Sequence, residues 1–168
     1  MPGSPKVFRV VGRIPPPLIV IVPFFLGHWI QNAIGGIGVL GPLSRLVGFL
    51  GFLFIAGGLA LVVTSIVLFA RRRTTLVPHG SSRALVLSGP YKFTRNPVYL
   101  GLIAVYIGSA LVFHELFAML LLPLPWWVMD RLVIPGEERQ LESAFGESYC
   151  VYKRQVRRWF GKKRPSLV

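Results

Sequence analysis

The chain has 168 residues, of which 53% are hydrophobic and 15% charged, and its mean hydropathy is +0.60. These values exclude an ordinary soluble domain and describe a membrane protein. At about 20 residues per helical span, the length holds one domain with a few spans and leaves nothing for a second globular domain.

A net charge of +13 raises nucleic acid as a partner, but the positions of the cations argue otherwise. All Lys and Arg except Arg45 fall into an N-terminal tail (Lys6, Arg9, Arg13), a middle segment (Arg71 to Arg95) and a last segment (Arg131 to Arg164). Placed on one face of a bilayer, the three segments satisfy the positive-inside rule and put both termini in the cytosol. Anionic lipid headgroups then account for the charge more simply than nucleic acid. A lone cysteine, Cys150, leaves no internal disulfide framework and no cysteine-based zinc site, and reads as a packing residue.

In chain order, residues 14–34 form an uncharged stretch long enough to cross a bilayer, and they read as a retained span rather than a cleaved signal. Pro15, Pro16, Pro17 and Pro23 bend or delay this helix. His28, Gln31 and Asn32 sit near its far end, without a His or carboxylate close by in sequence, and read as interfacial polar residues rather than metal ligands. A Gly-rich turn from Gly35 to Pro42 makes the first two spans an antiparallel pair. Leu46 to Ala70 is the cleanest span, closed by Arg71, Arg72 and Arg73. Gly51, Gly57 and Gly58 give it a thin side for a neighbouring helix. Arg71 to Asn96 is a long polar loop whose Leu76, Val77, Leu85, Val86 and Leu87 predict that it folds back on the membrane face.

Pro97 to Phe113 is a short span, His114 and Glu115 form an outer turn, and Leu116 to Ile134 returns with a kink at Pro123 and Pro125. Trp126 and Trp127 read as an interfacial belt or packing pair, and Asp130 with Arg131 as a local ion pair near the cytosolic end. From Glu137 the chain turns amphipathic. Leu141, Phe145, Tyr149, Tyr152, Val156 and Trp159 share one helical face and basic residues fill the other, with Gly146 a possible break.

The densest polar stretch is GPYKFTRNPVYLG, Gly89 to Gly101. Its Asn-Pro step predicts a capped helix start at a membrane surface, where polar groups need partners or a ligand. The cytosolic inventory contains no phosphate-binding Gly-rich loop, no metal cluster and no nucleophile relay. It does contain Tyr91, Tyr99, Arg95, Asn96, Glu137 and Glu138. Aromatic faces and carboxylates together suit a cationic organic ligand, and Asn with backbone groups suits a base edge or ribose.

The segment LVLSGPYKFTRNPVYLG (Leu85 to Gly101), followed after a hydrophobic hairpin by EERQLESAFGESYCVYKRQVRRW (Glu137 to Trp159), resembles the isoprenylcysteine carboxyl methyltransferase and phospholipid methyltransferase family. The resemblance covers roughly the C-terminal half. It implies a single all-α integral membrane methyltransferase domain over residues 1–168, with a two-helix membrane part (1–70) and a cofactor-binding part (71–168). About four transmembrane helices are expected, the last two a hairpin, with a C-terminal amphipathic cytosolic helix closing the pocket.

By the same resemblance the methyl donor is S-adenosyl-L-methionine and the acceptor a membrane lipid or lipidated substrate: an isoprenylcysteine-like carboxylate or a phospholipid amine. Cofactor contacts carried over by position are Leu85, Val86, Tyr91, Arg95, Asn96, Pro97, Val98 and Tyr99. Glu137, Glu138 and Arg131 are the catalytic candidates, and no metal is implied. Asn96 stands where many members have His, which rules out proton shuttling at that position. Val133 stands where eukaryotic members have Arg, leaving Arg131 the nearest cation. The competing expectations are a non-enzymatic protein that binds anionic lipid through its basic tail, and a membrane lipid reductase of similar topology.

Overall fold

The computed structural model describes residues 15–35, 41–71 and 85–161. The expected fold-back of Leu76 and Val77, the cations Arg72, Arg73 and Arg83, the N-terminal basic tail, Lys162, Lys163 and Arg164 and most of the Gly-rich turn lie outside the described residues. Every regular element described is helical. They are α1 (Pro16–Ala33), α2 (Pro42–Arg71), a single 3-10 turn (Gly89–Lys92), α3 (Pro97–Val112), α4 (Leu116–Leu121), α5 (Pro123–Val128), a π-helical turn (Met129–Val133), α6 (Ile134–Phe145) and α7 (Glu147–Gln155).

Prolines open α1, α2, α3 and α5, where the missing N–H would have been unsatisfied anyway. Pro23 lies inside α1, and its missing donor leaves one carbonyl without its intrahelical partner. Two helices among the described residues are long and apolar enough to cross a membrane: Leu43–Arg71, and Leu116–Phe145 taken as one rod. Pro97–Val112 is a shorter apolar helix.

Glycine decides how α2 and α3 pack. A Cβ on Gly58 would lie 2.7 Å from the Gly101 carbonyl oxygen, and one on Gly101 2.7 Å from that of Gly58. The same reciprocity joins Gly51 and Gly108, at 2.7 and 2.5 Å. Since 51 pairs with 108 and 58 with 101, the helices run antiparallel in backbone contact, and only glycine permits that approach. The thin side of α2 is therefore made by Gly51 and Gly58. Gly57 faces open space.

The expected pairing of the first two spans is not what the structure shows: α1 packs on α4 and, less extensively, on α3, rather than on α2. The reason is again close approach. A Cβ on Gly27 would stand 2.4 Å from the Ala118 backbone nitrogen, so α1 seats directly on α4, while the glycine face of α2 is already occupied by α3. Tyr106 donates to the Ala118 carbonyl at 2.6 Å and meets Phe24 edge-on at 5.6 Å, tying the three helices into one core.

At the end remote from the motif, His28 Nδ1 lies 2.5 Å from Glu115 Oε1, Asn32 Nδ2 lies 3.0 Å from His28 Nε2, and Gln31 donates to the His114 carbonyl at 3.0 Å. The partner that His28 lacked in sequence is thus supplied by the α3–α4 turn, and the group clamps α1 to it. No group of three or more His, Cys, Asp or Glu suited to a metal occurs among the described residues.

The predicted kink is resolved as three pieces. Pro123 and Pro125 offer no N–H, so the rod is interrupted at Leu122, and after the six residues of α5 it widens into the π turn that carries Asp130. Such turns insert a residue into the helical register and recur at functional sites. Gly146 has φ 54°, a conformation that favours glycine, and there the amphipathic segment breaks into α6 and α7. The predicted face runs too far. The helix ends at Gln155, and Trp159 lies in the irregular segment beyond it.

Candidate functional site

The Gly89–Gly101 motif forms the end of the bundle where α2 finishes and α3 begins. Tyr91, in the 3-10 turn, is buried against Phe69 of α2, with ring centroids 5.3 Å apart. Its hydroxyl meets Ser65 and feels the charge of Glu137, and burial pushes it well above the ordinary tyrosine range. Leu85, Val86 and Leu87 run irregularly into this turn, with Val86 buried.

Asn96 stands at the start of α3, as its Asn-Pro step predicts, but its side chain makes no capping bond. Its Nδ2 donates instead to the Arg158 carbonyl at 3.1 Å, and Thr94 Oγ1 donates to the same oxygen at 3.0 Å. The Asn96 amide donates to Thr94 Oγ1 at 3.1 Å. Backbone bonds reinforce this junction: Arg95 N to Arg157 O at 3.1 Å, and Gly161 N to Phe93 O at 2.7 Å. The motif is thus laced to the segment after α7, some sixty residues away.

The two glutamates occupy different environments. Tyr99 donates to Glu137 Oε1 at 2.5 Å. Glu137 is half-buried, and no cation among the described residues pairs with it. Glu138 is buried and doubly neutralised: Arg158 Nη2 lies 2.9 Å from its Oε2 and Arg95 Nη1 3.0 Å from its Oε1.

Arg158 also binds Asp130 through Nη1, at 3.0 Å to the carboxylate and 3.1 Å to the backbone carbonyl. Burial disfavours its charge, but the bonds and charges of Glu138 and Asp130 outweigh that, so its pKa is raised above the ordinary value. Trp159 Nε1 donates to Asp130 Oδ1 at 2.8 Å, and its ring stacks on Trp126 at 4.1 Å. Acids and guanidinium groups therefore alternate in one chain, Arg95, Glu138, Arg158, Asp130, with Arg131 reaching Asp130 from the exposed side.

Arg95 retains donor capacity. Its Nη1 approaches Glu138 as an ion pair without hydrogen-bond alignment, and its buried Nε has no partner among the described residues. Buried guanidinium N–H groups of this kind are costly unless a ligand or water meets them.

Beneath the motif, Tyr152 donates to the Tyr91 carbonyl at 2.8 Å, and burial raises its pKa. Tyr149 is pushed up to about 12 by burial and by Glu138 nearby, with Arg95 opposing. On the outer side of α7, Lys153 pairs with Glu142 and Arg154 with Glu147.

Of the expected site residues, Tyr91, Arg95, Asn96, Tyr99, Glu137 and Glu138 share this end of the bundle, with Leu85, Val86, Pro97 and Val98 in the same two segments. Arg131 stands apart: it is 71% exposed, and its ion pair among the described residues is with Asp130, at 3.3 Å. Sequence reading missed Arg158, Thr94 and the stacking of Trp126 on Trp159, and gave Asp130 only its local partner. One signal was available, since a carboxylate placed at the end of an apolar rod calls for a compensating cation, but the candidates were numerous.

The class of molecule that emerges is an all-helical bundle with apolar helices of membrane-spanning length and a polar, carboxylate-bearing site at one end. Residues 46–148 match the model of the phospholipid methyltransferase family, more than half of the chain, and the chain belongs to that family. A protein-S-isoprenylcysteine O-methyltransferase of Schizosaccharomyces pombe is 33% identical over 72 residues, 43% of this chain and 30% of that protein. One of Tribolium castaneum is 33% identical over 76 residues, 45% of this chain and 27% of that protein. The matches thus span less than a third of these curated relatives. The solved eukaryotic intramembrane Ras methyltransferase, isoprenylcysteine carboxyl methyltransferase, superposes with a TM-score of 0.57 at 22% identity, over 98% of this chain and 54% of that one. That likeness is one of fold.

Proposed function

We propose that the chain is an integral membrane methyltransferase, which takes a methyl group from S-adenosyl-L-methionine and gives it to a membrane-embedded lipid or lipidated acceptor. The observation that carries this reading is Glu137: a half-buried carboxylate held by the Tyr99 hydroxyl, near the Tyr91 hydroxyl, with no ion-pair partner among the described residues. A carboxylate left uncompensated among aromatic groups complements a cationic ligand group, here a sulfonium. The names of the relatives support the same chemistry.

The residues present fit the donor. Arg95 Nε, without a partner among the described residues, would take a carboxylate, the irregular backbone at Leu85 and Val86 with the Asn96 side-chain oxygen would take a base edge or ribose, and Pro97, Val98 and Tyr99 would wall the site. When bound, the donor supplies an electrophilic methyl group. The protein's own work is alignment and exclusion of water. Tyr99 fixes the Glu137 carboxylate, and the laced segment 156–161 closes the end of the bundle. A carboxylate acceptor needs no base, whereas an ammonium acceptor must lose a proton first, and Glu137 is the carboxylate free to receive it. Glu138, held by two guanidinium groups, serves structure.

On this reading residues 1–168 form one domain, with a membrane part over 1–70 and a catalytic part over 71–168. About four spans place both termini in the cytosol, α6 and α7 close the cofactor pocket, and the acceptor enters sideways from the bilayer. The test is calorimetry of the purified protein in nanodiscs with S-adenosylmethionine and S-adenosylhomocysteine, followed by incubation with labelled donor and a total lipid extract. Binding and a labelled lipid product are expected. Absence of donor binding refutes the proposal, and binding of a nicotinamide cofactor instead would assign a reductase.

A further inference from the structure

Arg158 makes six polar contacts that tie the π turn and α6 to the start of α3. Its guanidinium bridges Asp130 in the π turn and Glu138 in α6, while its carbonyl receives both Thr94 Oγ1 and Asn96 Nδ2 at the start of α3. Each part borders the proposed site: α3 carries Tyr99, α6 carries Glu137 next to Glu138, and the segment after α7 covers them. Arg158 bonds to two acids at once. Lys153 and Arg154 pair with exposed or half-exposed glutamates on the outer surface.

We infer that Arg158 is a positioning residue for the methyl-donor site: by holding Glu138 and Asp130 it fixes the rotation of α6, so that Glu137 faces Tyr99, and it keeps the C-terminal segment closed over the donor. The inference rests on the proposed donor site and specifies how that site is held together. A single guanidinium performs the task because its planar fork reaches two carboxylates in fixed directions, which an ammonium group does not. Glu138 retains Arg95 when Arg158 is removed, so the loss falls on closure and on the placing of Glu137 rather than on a naked buried charge.

The experiment uses the full chain in nanodiscs and compares Arg158→Gln, Arg158→Lys, Asp130→Asn and the double variant Asp130→Asn/Arg158→Gln with wild type. It reads the S-adenosylhomocysteine Kd, its release rate, and KM for the donor against kcat. Arg158→Gln is expected to raise Kd and donor KM at least tenfold through faster release, with kcat at saturating donor changed less than threefold. Arg158→Lys recovers part of the affinity. The double variant is no worse than Arg158→Gln alone, because Asp130 and Arg158 act as one contact. Arg154→Gln, on the outer surface, is the control and behaves as wild type.

Wild-type protein that binds no donor overturns the proposed function itself. Wild type that binds while Arg158→Gln and Arg158→Lys retain its Kd and release rate overturns this inference alone, as does a loss confined to kcat. Should Arg158→Gln fail to fold, Arg158→Lys decides by the same split of KM from kcat.

Discussion

Gly57 and Gly58 are neighbours on α2, and the packing predicts opposite fates for them when each is changed to alanine. In both cases the helix interior gains about 0.5–1 kcal/mol from the lost glycine flexibility. At Gly57 the added methyl meets nothing within 4 Å, so that gain is kept. At Gly58 it would meet the Gly101 carbonyl oxygen at 2.7 Å, Val105 Cγ2 at 2.9 Å and the Val105 backbone nitrogen at 3.0 Å. Two of the three are backbone atoms, so no side-chain rotation relieves them. Carbon–oxygen contacts ordinarily lie at about 3.3–3.6 Å, so α3 has to retreat by roughly half an ångström or more, at an overpacking cost of about 1–3 kcal/mol.

Because the propensity gain cancels between the two variants, Gly58→Ala should be less stable than Gly57→Ala by about 1–3 kcal/mol. Reversible unfolding in mixed detergent micelles measures that difference. Gly101→Ala should behave like Gly58→Ala, and the double variant should cost less than the sum, since both residues guard one contact. Equal stabilities for Gly57→Ala and Gly58→Ala would refute the backbone-contact account of the α2–α3 interface.

The sulfonium reading of Glu137 predicts a difference between two ligands. A unit charge about 5 Å from a carboxylate at an effective dielectric near 20 is worth about 3 kcal/mol, so Glu137→Gln should weaken S-adenosylmethionine up to about a hundredfold while hardly affecting S-adenosylhomocysteine, whose sulfur is uncharged; equal losses for both would remove Glu137 from the sulfonium. At the opposite end, Glu115→Gln should lower stability by about 1–3 kcal/mol by weakening the bond that buried Glu115 makes to exposed His28, without altering donor affinity, as melting and calorimetry would show. Stability should fall between about pH 10 and 12 as the unfolded chain's tyrosines ionise while Tyr149, raised to about 12, stays protonated. A folded pKa above the unfolded one gives stability that is present at lower pH and lost as pH rises, so Tyr149→Phe should flatten that decline in an alkaline unfolding series. Trp159→Ala should loosen the terminal segment, read as faster proteolysis after Gln155 with α1 to α3 unaffected.

Local chemistry carried much of the architecture into the sequence. Prolines at helix starts, the charge-free run of α2, the turn at His114 and Glu115 and the glycine break at 146 are decided within a few residues, because backbone constraint and burial in an apolar medium act at that range. The motif at Gly89 to Gly101 was legible as a helix start crowded with polar groups for the same reason. What it bonds to was not. Asn96 has the composition of a cap, and the choice between its own helix and the Arg158 carbonyl depends on where a segment sixty residues away comes to lie.

The division between Glu137 and Glu138 shows the boundary most clearly. The sequence by itself determined a helical membrane chain, a pair of acids and a surplus of cations. Tertiary structure alone decided which acid is neutralised. The return of the C-terminal segment brings Arg158 onto Glu138, the start of α3 brings Arg95 there, and Glu137 is left with a tyrosine hydroxyl, because ion pairing acts over a few ångströms and adjacent helical residues point in directions about 100° apart.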